Sequence, residues 1–232
     1  MIQIRKSDDR GISQMDWLNS LHTFSFAQYR DPKFMRFGDL RVINEDIVQP
    51  GMGFGRHPHR DMEIVSYVVE GQLEHKDSMG NGSIIKAGEI QIMTAGAGVE
   101  HSEFNHSNTD LLHFLQIWII PEQLGLAPRY QQISIRPSQN KLVLIGSRDG
   151  SDTAVTIHQD IRLYACFLQD NHTLNHTLQQ GRMGWLQLIK GSITVNGEQM
   201  EAGDGAAIRE DILMISCLGQ AEFLFFDLMA RF

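Results

Sequence analysis

Cysteine is nearly missing from this 232-residue sequence. The two that occur, Cys166 in "LYACFL" and Cys217 in "MISCLG", sit inside apolar, strand-like runs, where a thiol serves as a small buried hydrophobe. That excludes a disulfide framework and a zinc ribbon. No apolar stretch is long enough to cross a bilayer, and the start "MIQIRKSDDRG" has no long apolar run behind its basic residues, so a cytoplasmic protein is expected. Positive charge is scarce: 20 Lys and Arg against 28 Asp and Glu give a formal charge of -8 and a pI near 5.6. A phosphate backbone is held by Lys and Arg that displace counterions, so direct nucleic-acid binding is not expected. Long amphipathic helices are also lacking. The one short candidate is "SQMDWLNSLH", residues 13–22, opened by Ser13 as a cap.

What is present is β-sheet sequence. At 42% hydrophobic, the chain can bury a full core, as one large β domain or as two units of ordinary size. Short segments rich in Val, Ile, Phe and Tyr recur between Gly, Asn, Asp and Pro, among them "LRVINEDIV", "EIVSYVVEG", "LLHFLQIWII", "WLQLIKGSITVNG" and "EFLFFDLM". This pattern predicts an antiparallel all-β fold, sandwich or barrel. The segments "YVVEGQLEHKDSMGNGSIIKAGEIQIM" and "QLIKGSITVNGEQMEAGDGAAI" share one order: apolar strand, glycine turn, strand, loop, then Ala-Gly-acid and another strand. Gly71 corresponds to Gly191 and Gly88 to Gly203, the offset falling from 120 to 115 because the first copy has a longer hairpin tip. Two copies of one β unit are the simplest account. The boundary falls within residues 121–141, which hold Pro121, Pro128 and Pro137, and divides the chain into 1–134 and 135–232.

The chemistry-bearing stretch is "GFGRHPHRDMEI". Alternate side chains of a strand share a face, so His57 and His59 project together and can chelate one cation. In "TAGAGVEHSEFNHS", His101 and Glu103 repeat the spacing, and two such pairs on neighbouring strands would converge. Three imidazoles and a carboxylate suit iron(II), manganese, cobalt, nickel, copper or zinc, and are too nitrogen-rich for calcium or magnesium. His22, His75, His106, His113, His158, His172 and His176 lack a comparable partner pattern, so each is expected at the surface or hydrogen-bonded in the core. His106 and His113, nearest in sequence, remain candidates for an outer role. The second half has neither a His-x-His nor a histidine followed by an acid, and its expected role is structural.

These residues carry a family resemblance. "GMGFGRHPHRDMEIVSYVVEG" resembles the first cupin motif, with Gly51, His57, His59, Glu63 and Gly71 in place, and "GEIQIMTAGAGVEHSEFN" resembles the second, ending in His101 and Asn105. Thr94 stands where that motif usually has proline, and two extra residues precede His101. Together with "HTFSFAQYRDP", "DSMGN" and "LQIWI", these departures resemble the pirins, two-domain cupins, densely from about residue 17 to 134 and more weakly beyond. The resemblance implies a bicupin, two packed jelly-roll domains. It also implies an iron site of His57, His59, His101 and Glu103, with further positions open to water or substrate. In many other cupins the acid at the position of Glu63 is itself a ligand. The pirin match and the pairing with His101 favour Glu103, leaving Glu63 as an outer partner that orients an imidazole.

A divalent ion with three neutral imidazoles and one carboxylate keeps one net positive charge, which favours an anionic oxygen donor. Open positions suit non-haem iron oxygen chemistry, whereas a closed shell would mark a structural ion. The pirin resemblance implies a quercetin 2,3-dioxygenase-like oxidoreductase that opens a flavonol or related enol ring with dioxygen, Glu103 taking the hydroxyl proton as general base. Phe26, His113 and Gln116 are candidates for an aromatic wall and polar anchor, although strand parity turns His113 and Gln116 to opposite faces. Other readings are an iron-dependent regulatory or redox-sensing protein acting through protein partners, and a metal cupin that isomerises a sugar or small acid.

Overall fold

The computed structural model describes residues 1–135, 138–169 and 171–230, and Pro137 of the expected linker lies outside them. Apart from one 3-10 turn at Ser7–Asp9, the regular structure of the described residues is strand, as expected for an all-β chain. Two compact units form. One holds residues 11–135 and 149–159; the other holds residues 1–10 with the described parts of 136–148 and 160–232.

In the first unit, a seven-stranded antiparallel sheet runs in the order Arg129–Ser134, Glu89–Thr94, Glu63–Glu70, Leu112–Ile119, Leu40–Val48, Leu18–His22 and Gly11–Met15. A four-stranded sheet runs Gly53–His59, Val99–Asn105, Gln72–Asp77 and Gly82–Lys86. Val48, Val68, Leu112 and Phe114 from the larger sheet pack against Leu73 and Ile85 from the smaller. Because the side-chain period is two, the face that carries Leu112 and Phe114 continues into Gln116 and Trp118. One end of the sandwich is therefore sealed by apolar packing, while the same strands deliver polar and aromatic groups to the other. Emptying the Phe114 site with alanine would cost about 3–5 kcal/mol, the usual range for a buried phenylalanine.

The helix expected over residues 13–22 is instead a hairpin. Gly11–Met15 pairs with Leu18–His22, Ser13 opposite Ser20, through a two-residue turn at Asp16 and Trp17. Buried Leu18, Ser20 and His22 alternate along the second strand, which also pairs with Leu40–Val48. The local capping signal at Ser13 is outweighed by this tertiary pairing, since propensity is only a weak prior.

The second unit has the same kind of layers. Ile2–Arg5, Gly205–Ile208, Arg182–Lys190, Gln220–Met229, Ile161–Gln169 and Leu142–Ser147 are successive neighbours in one sheet, and Thr173–Thr177, Ile212–Cys217, Ser192–Val195 and Glu198–Glu201 form another. Its core includes Leu186, Leu188, Val195, Ile215, Phe223 and Phe225. Cys166 and Cys217 are free and buried in it, and burial together with Cys217 pushes the Cys166 thiol up to about 12. The repeat is visible in the backbone. Gly71 and Gly191 take φ of 83° and 81°, and a β-carbon on either would come within 2.5 Å and 2.0 Å of a backbone oxygen, so both positions require glycine.

The extreme N-terminus is strapped to the second unit. Ile2 pairs with Ile208, and the buried Asp204 carboxylate accepts hydrogen bonds from Ser7 N (2.7 Å), Lys6 Nζ (2.7 Å) and Glu201 N (3.0 Å). Burial opposes ionisation of Asp204, but these donors outweigh it and hold its pKa below the usual value. A depressed folded pKa adds stability above the unfolded pKa, and this is lost as pH falls through the folded one. Asp204→Ala is therefore expected to lower unfolding stability in urea at pH 7 by about 1–3 kcal/mol. The difference should shrink as pH drops below about 4, the unfolded value. Equal stability at pH 7 would contradict this role.

Candidate metal centre

Strands Gly53–His59 and Val99–Asn105 pair antiparallel with His101 opposite His57, and a register shift beyond His101 sets Glu103 opposite Phe54. The approach is tight: a β-carbon on Gly53 would stand 2.2 Å from the Glu103 carbonyl oxygen. Three rings meet as a result. Their centroids lie 4.8 Å apart for His57 and His59, 4.5 Å for His57 and His101, and 4.8 Å for His59 and His101. His57 Nδ1 donates to the Gly55 carbonyl (2.7 Å), which leaves Nε2 as the lone-pair nitrogen, 3.0 Å from His101 Nε2. His59 Nε2 is buried without a protein partner.

Electrostatics keep the His59 and His101 rings neutral. Burial, followed by the neighbouring His101 and His57, lowers the His59 pKa to about 4; burial, His57 and His75 lower that of His101 to about 3. Clustered imidazoles with converging lone pairs fit a borderline divalent cation, which would take the place of the proton that His59 and His101 refuse.

Glu103 is 1% exposed and tied on both oxygens. Ser66 Oγ donates to Oε1 (3.0 Å) and itself accepts from Gln91 Nε2 (3.0 Å), while Gln116 donates from Nε2 to Oε2 and accepts from Trp118 Nε1 on its own Oε1 (3.1 Å). The three histidines form one potential ligand cluster, and Glu103 enters a second with His101 and His75. His101 is thus the shared member.

The cluster opens onto a cavity of about 260 Å³. Phe26, Trp118, Phe54, Leu18 and Met15 line it with apolar surface, and Ser13, Ser20, His22, Asn44, Asp46 and Gln116 with polar groups. Trp118 stands edge-on to His59 at 5.0 Å and to Phe26 at 5.4 Å. On the polar side His22 Nδ1 contacts Asn44 Oδ1 (2.8 Å), so it carries the proton, and Nε2 accepts from Ser13 Oγ (2.7 Å). Asp46 Oδ1 is buried without a protein partner, and burial, aided by Glu103 and Glu45 against a Ser20 hydrogen bond, raises its pKa to about 7.

The remaining candidates separate by face. Phe26 and Gln116 line the cavity, whereas His113 projects from the opposite face and pairs with Glu45 (2.9 Å). Glu63 does not continue the face of His59. A bend at residues 60–62, with Asp61 at φ 50°, starts a new strand on which Glu63 and Ser66 point to opposite sides. Its carboxylate accepts from Thr94 Oγ1 (3.1 Å), His158 N (3.2 Å) and His158 Nδ1 (3.2 Å), and so orients His158 rather than a member of the cluster. His106 lies near the surface beside Glu74 (3.3 Å). Sequence spacing missed His22, Asn44, Ser66 and Gln91, which belong to separate strands and show no chelate pattern.

Comparison with known proteins agrees with this picture. The Pirin family profile matches residues 4–119, and the profile of the quercetinase C-terminal cupin domain matches residues 144–228. A quercetin 2,3-dioxygenase of Escherichia coli K12 is 47% identical over 229 residues, covering 98% of this chain and 99% of that protein. A pirin-like protein of Caulobacter vibrioides is 36% identical, covering 98% and 99%. The crystal structure of YhhW from Escherichia coli superimposes with a TM-score of 0.96 at 46% identity, covering 100% and 99% of the two chains. Bacterial pirin YhhW in complex with nickel(II) gives 0.95 at 45% identity, covering all of both.

Fold and site together define a two-domain cupin whose His and Glu cluster supports a divalent metal. The chain belongs to the pirin family. His101→Ala should weaken nickel(II) binding by more than the about 10–100-fold typical of losing an outer partner. Glu63→Gln, on the far face, should leave it unchanged. Calorimetric titration of both variants checks this, and the reverse order would exclude the His101-centred cluster.

Proposed function

We propose that the protein is an iron-dependent dioxygenase of the quercetin 2,3-dioxygenase type, acting on a flavonol or related enol and dioxygen. The observation that carries this reading is the three-imidazole cluster at a cavity with one aromatic and one polar wall, in a chain 47% identical to a protein named for that activity. His57, His59, His101 and Glu103 are the residues that would hold the iron. Bound there, iron(II) would supply coordination for an oxygen donor and the redox chemistry that dioxygen needs.

The protein's own groups have distinct tasks. Glu103 takes the enolic hydroxyl proton of the substrate, its carboxylate aimed by the Ser66 and Gln116 donors. Phe26 and Trp118 present perpendicular rings against which a flat polyphenol packs, excluding water. Ser13, whose hydroxyl proton is committed to His22, offers its remaining lone pairs to a substrate O–H.

Anaerobic reconstitution with iron(II), followed by oxygen-electrode measurement with quercetin, is expected to show equimolar uptake. A fully metallated sample that consumes none would overturn the reading. Ser13→Ala is expected to raise KM roughly fivefold, equivalent to about 1 kcal/mol for one neutral hydrogen bond, with kcat little changed. A KM equal to that of the parent would remove Ser13 from substrate recognition.

A further inference from the structure

Of the three clustered imidazoles, His57 has its outer nitrogen fastened to a backbone carbonyl, but His101 does not. Its Nδ1 is buried without a protein partner. If Nε2 faces the cation, Nδ1 carries a proton that needs an acceptor, and metal-bound histidines almost always have one. The neighbouring ring is His75, with centroids 5.3 Å apart and planes tilted by 57°. It lies on Gln72–Asp77, which pairs with the His101 strand so that Asp77 is opposite His101 and His75 opposite Glu103.

His75 is primed to accept. Both it and Asp77 have side chains 0% exposed, and His75 Nε2 stands 3.1 Å from Asp77 Oδ2. Asp77 is fastened by Asn81 Nδ2 (2.8 Å), Asn81 N (3.0 Å) and Met79 N (2.9 Å). A carboxylate held ionised by that many donors accepts a hydrogen bond from His75 Nε2–H, which leaves His75 Nδ1 a bare acceptor. That nitrogen is also buried without a protein partner. The Tyr130 ring packs over His75 at 4.9 Å and fixes its plane. An orphan donor and an orphan acceptor on adjacent buried rings form a complementary pair, to be closed by direct contact or by a single bridging water.

We propose that Asp77 and His75 are positioning residues for the metal ligand His101, a buried carboxylate that polarises one imidazole and, through its hydrogen bond, the next. This rests on His101 binding metal and not on the dioxygenase reading. The pair would orient the His101 ring and make it a stronger donor, favouring the more highly charged state of a bound ion.

The test uses the full chain, loaded with nickel(II) for affinity and with iron for its midpoint potential. Asp77→Asn keeps an oxygen for the Met79 and Asn81 amides and removes the charge facing His75. It is expected to weaken nickel(II) binding about 10–100-fold and to raise the iron(III)/iron(II) potential, while Asp77→Glu recovers part of both. Glu74→Gln, which removes a half-exposed carboxylate from the same strand, should change neither. A folded D77N protein with parental affinity and potential would overturn the proposal. If D77N does not fold, H75F carries the same two readouts and the same expectations. Since His75, His101 and Glu103 also offer ligand atoms within 4.8 Å of one another, two nickel ions per chain, one of them lost in H75F, would likewise overturn it by making His75 a ligand.

Discussion

The antiparallel pairing of Gly53–His59 with Val99–Asn105 is the constraint on which the site depends. It sets His101 beside His57, and strand alternation brings His59 to the same face. A slip of one residue would send the imidazoles to the other side of the sheet. The bulge after His101 then breaks the simple register, so that Glu103 meets Ser66 and Gln116 of the facing sheet while His101 stays with the other rings. Such irregularities re-aim side chains next to functional sites.

Around that pairing the unit divides its labour along its strands. Leu112 and Phe114 pack the closed end, and two residues further the same face supplies Gln116 and then Trp118 to the cavity. Burial acts in two directions. It keeps His59 and His101 neutral, with lone pairs available, and it makes each polar neighbour depend on a partner, so Glu103, Gln116, Ser66 and Gln91 form one hydrogen-bonded chain. Second-unit strands repeat the layers without the histidine pairs.

Much of this was legible in the sequence because it is periodic. The all-β fold followed from short β-branched runs, the duplication from paired glycines at 71 and 191, and the ligand candidates from two i, i+2 pairs. The remainder depended on contacts between distant segments. A strong-looking cap at Ser13 could not reveal that Leu40–Val48 would capture residues 18–22 in a sheet. The bend at Asp61 turns Glu63 away from His59, and nothing in the spacing of the cupin motif marks which face the next strand adopts. Spacing alone marks His75 as an ordinary core histidine; only register places it behind His101 with an unpaired nitrogen. The pairing of Ile2–Arg5 with Gly205–Ile208 joins residues some two hundred positions apart and has no local signature.

X-ray absorption at the metal edge of the loaded protein is the sharpest check on the three-histidine centre, because multiple scattering from imidazole rings counts the histidines bound to the ion. Three imidazoles are expected, with oxygen making up the rest of the shell. A spectrum with one imidazole or none, in a sample carrying one ion per chain, would contradict it.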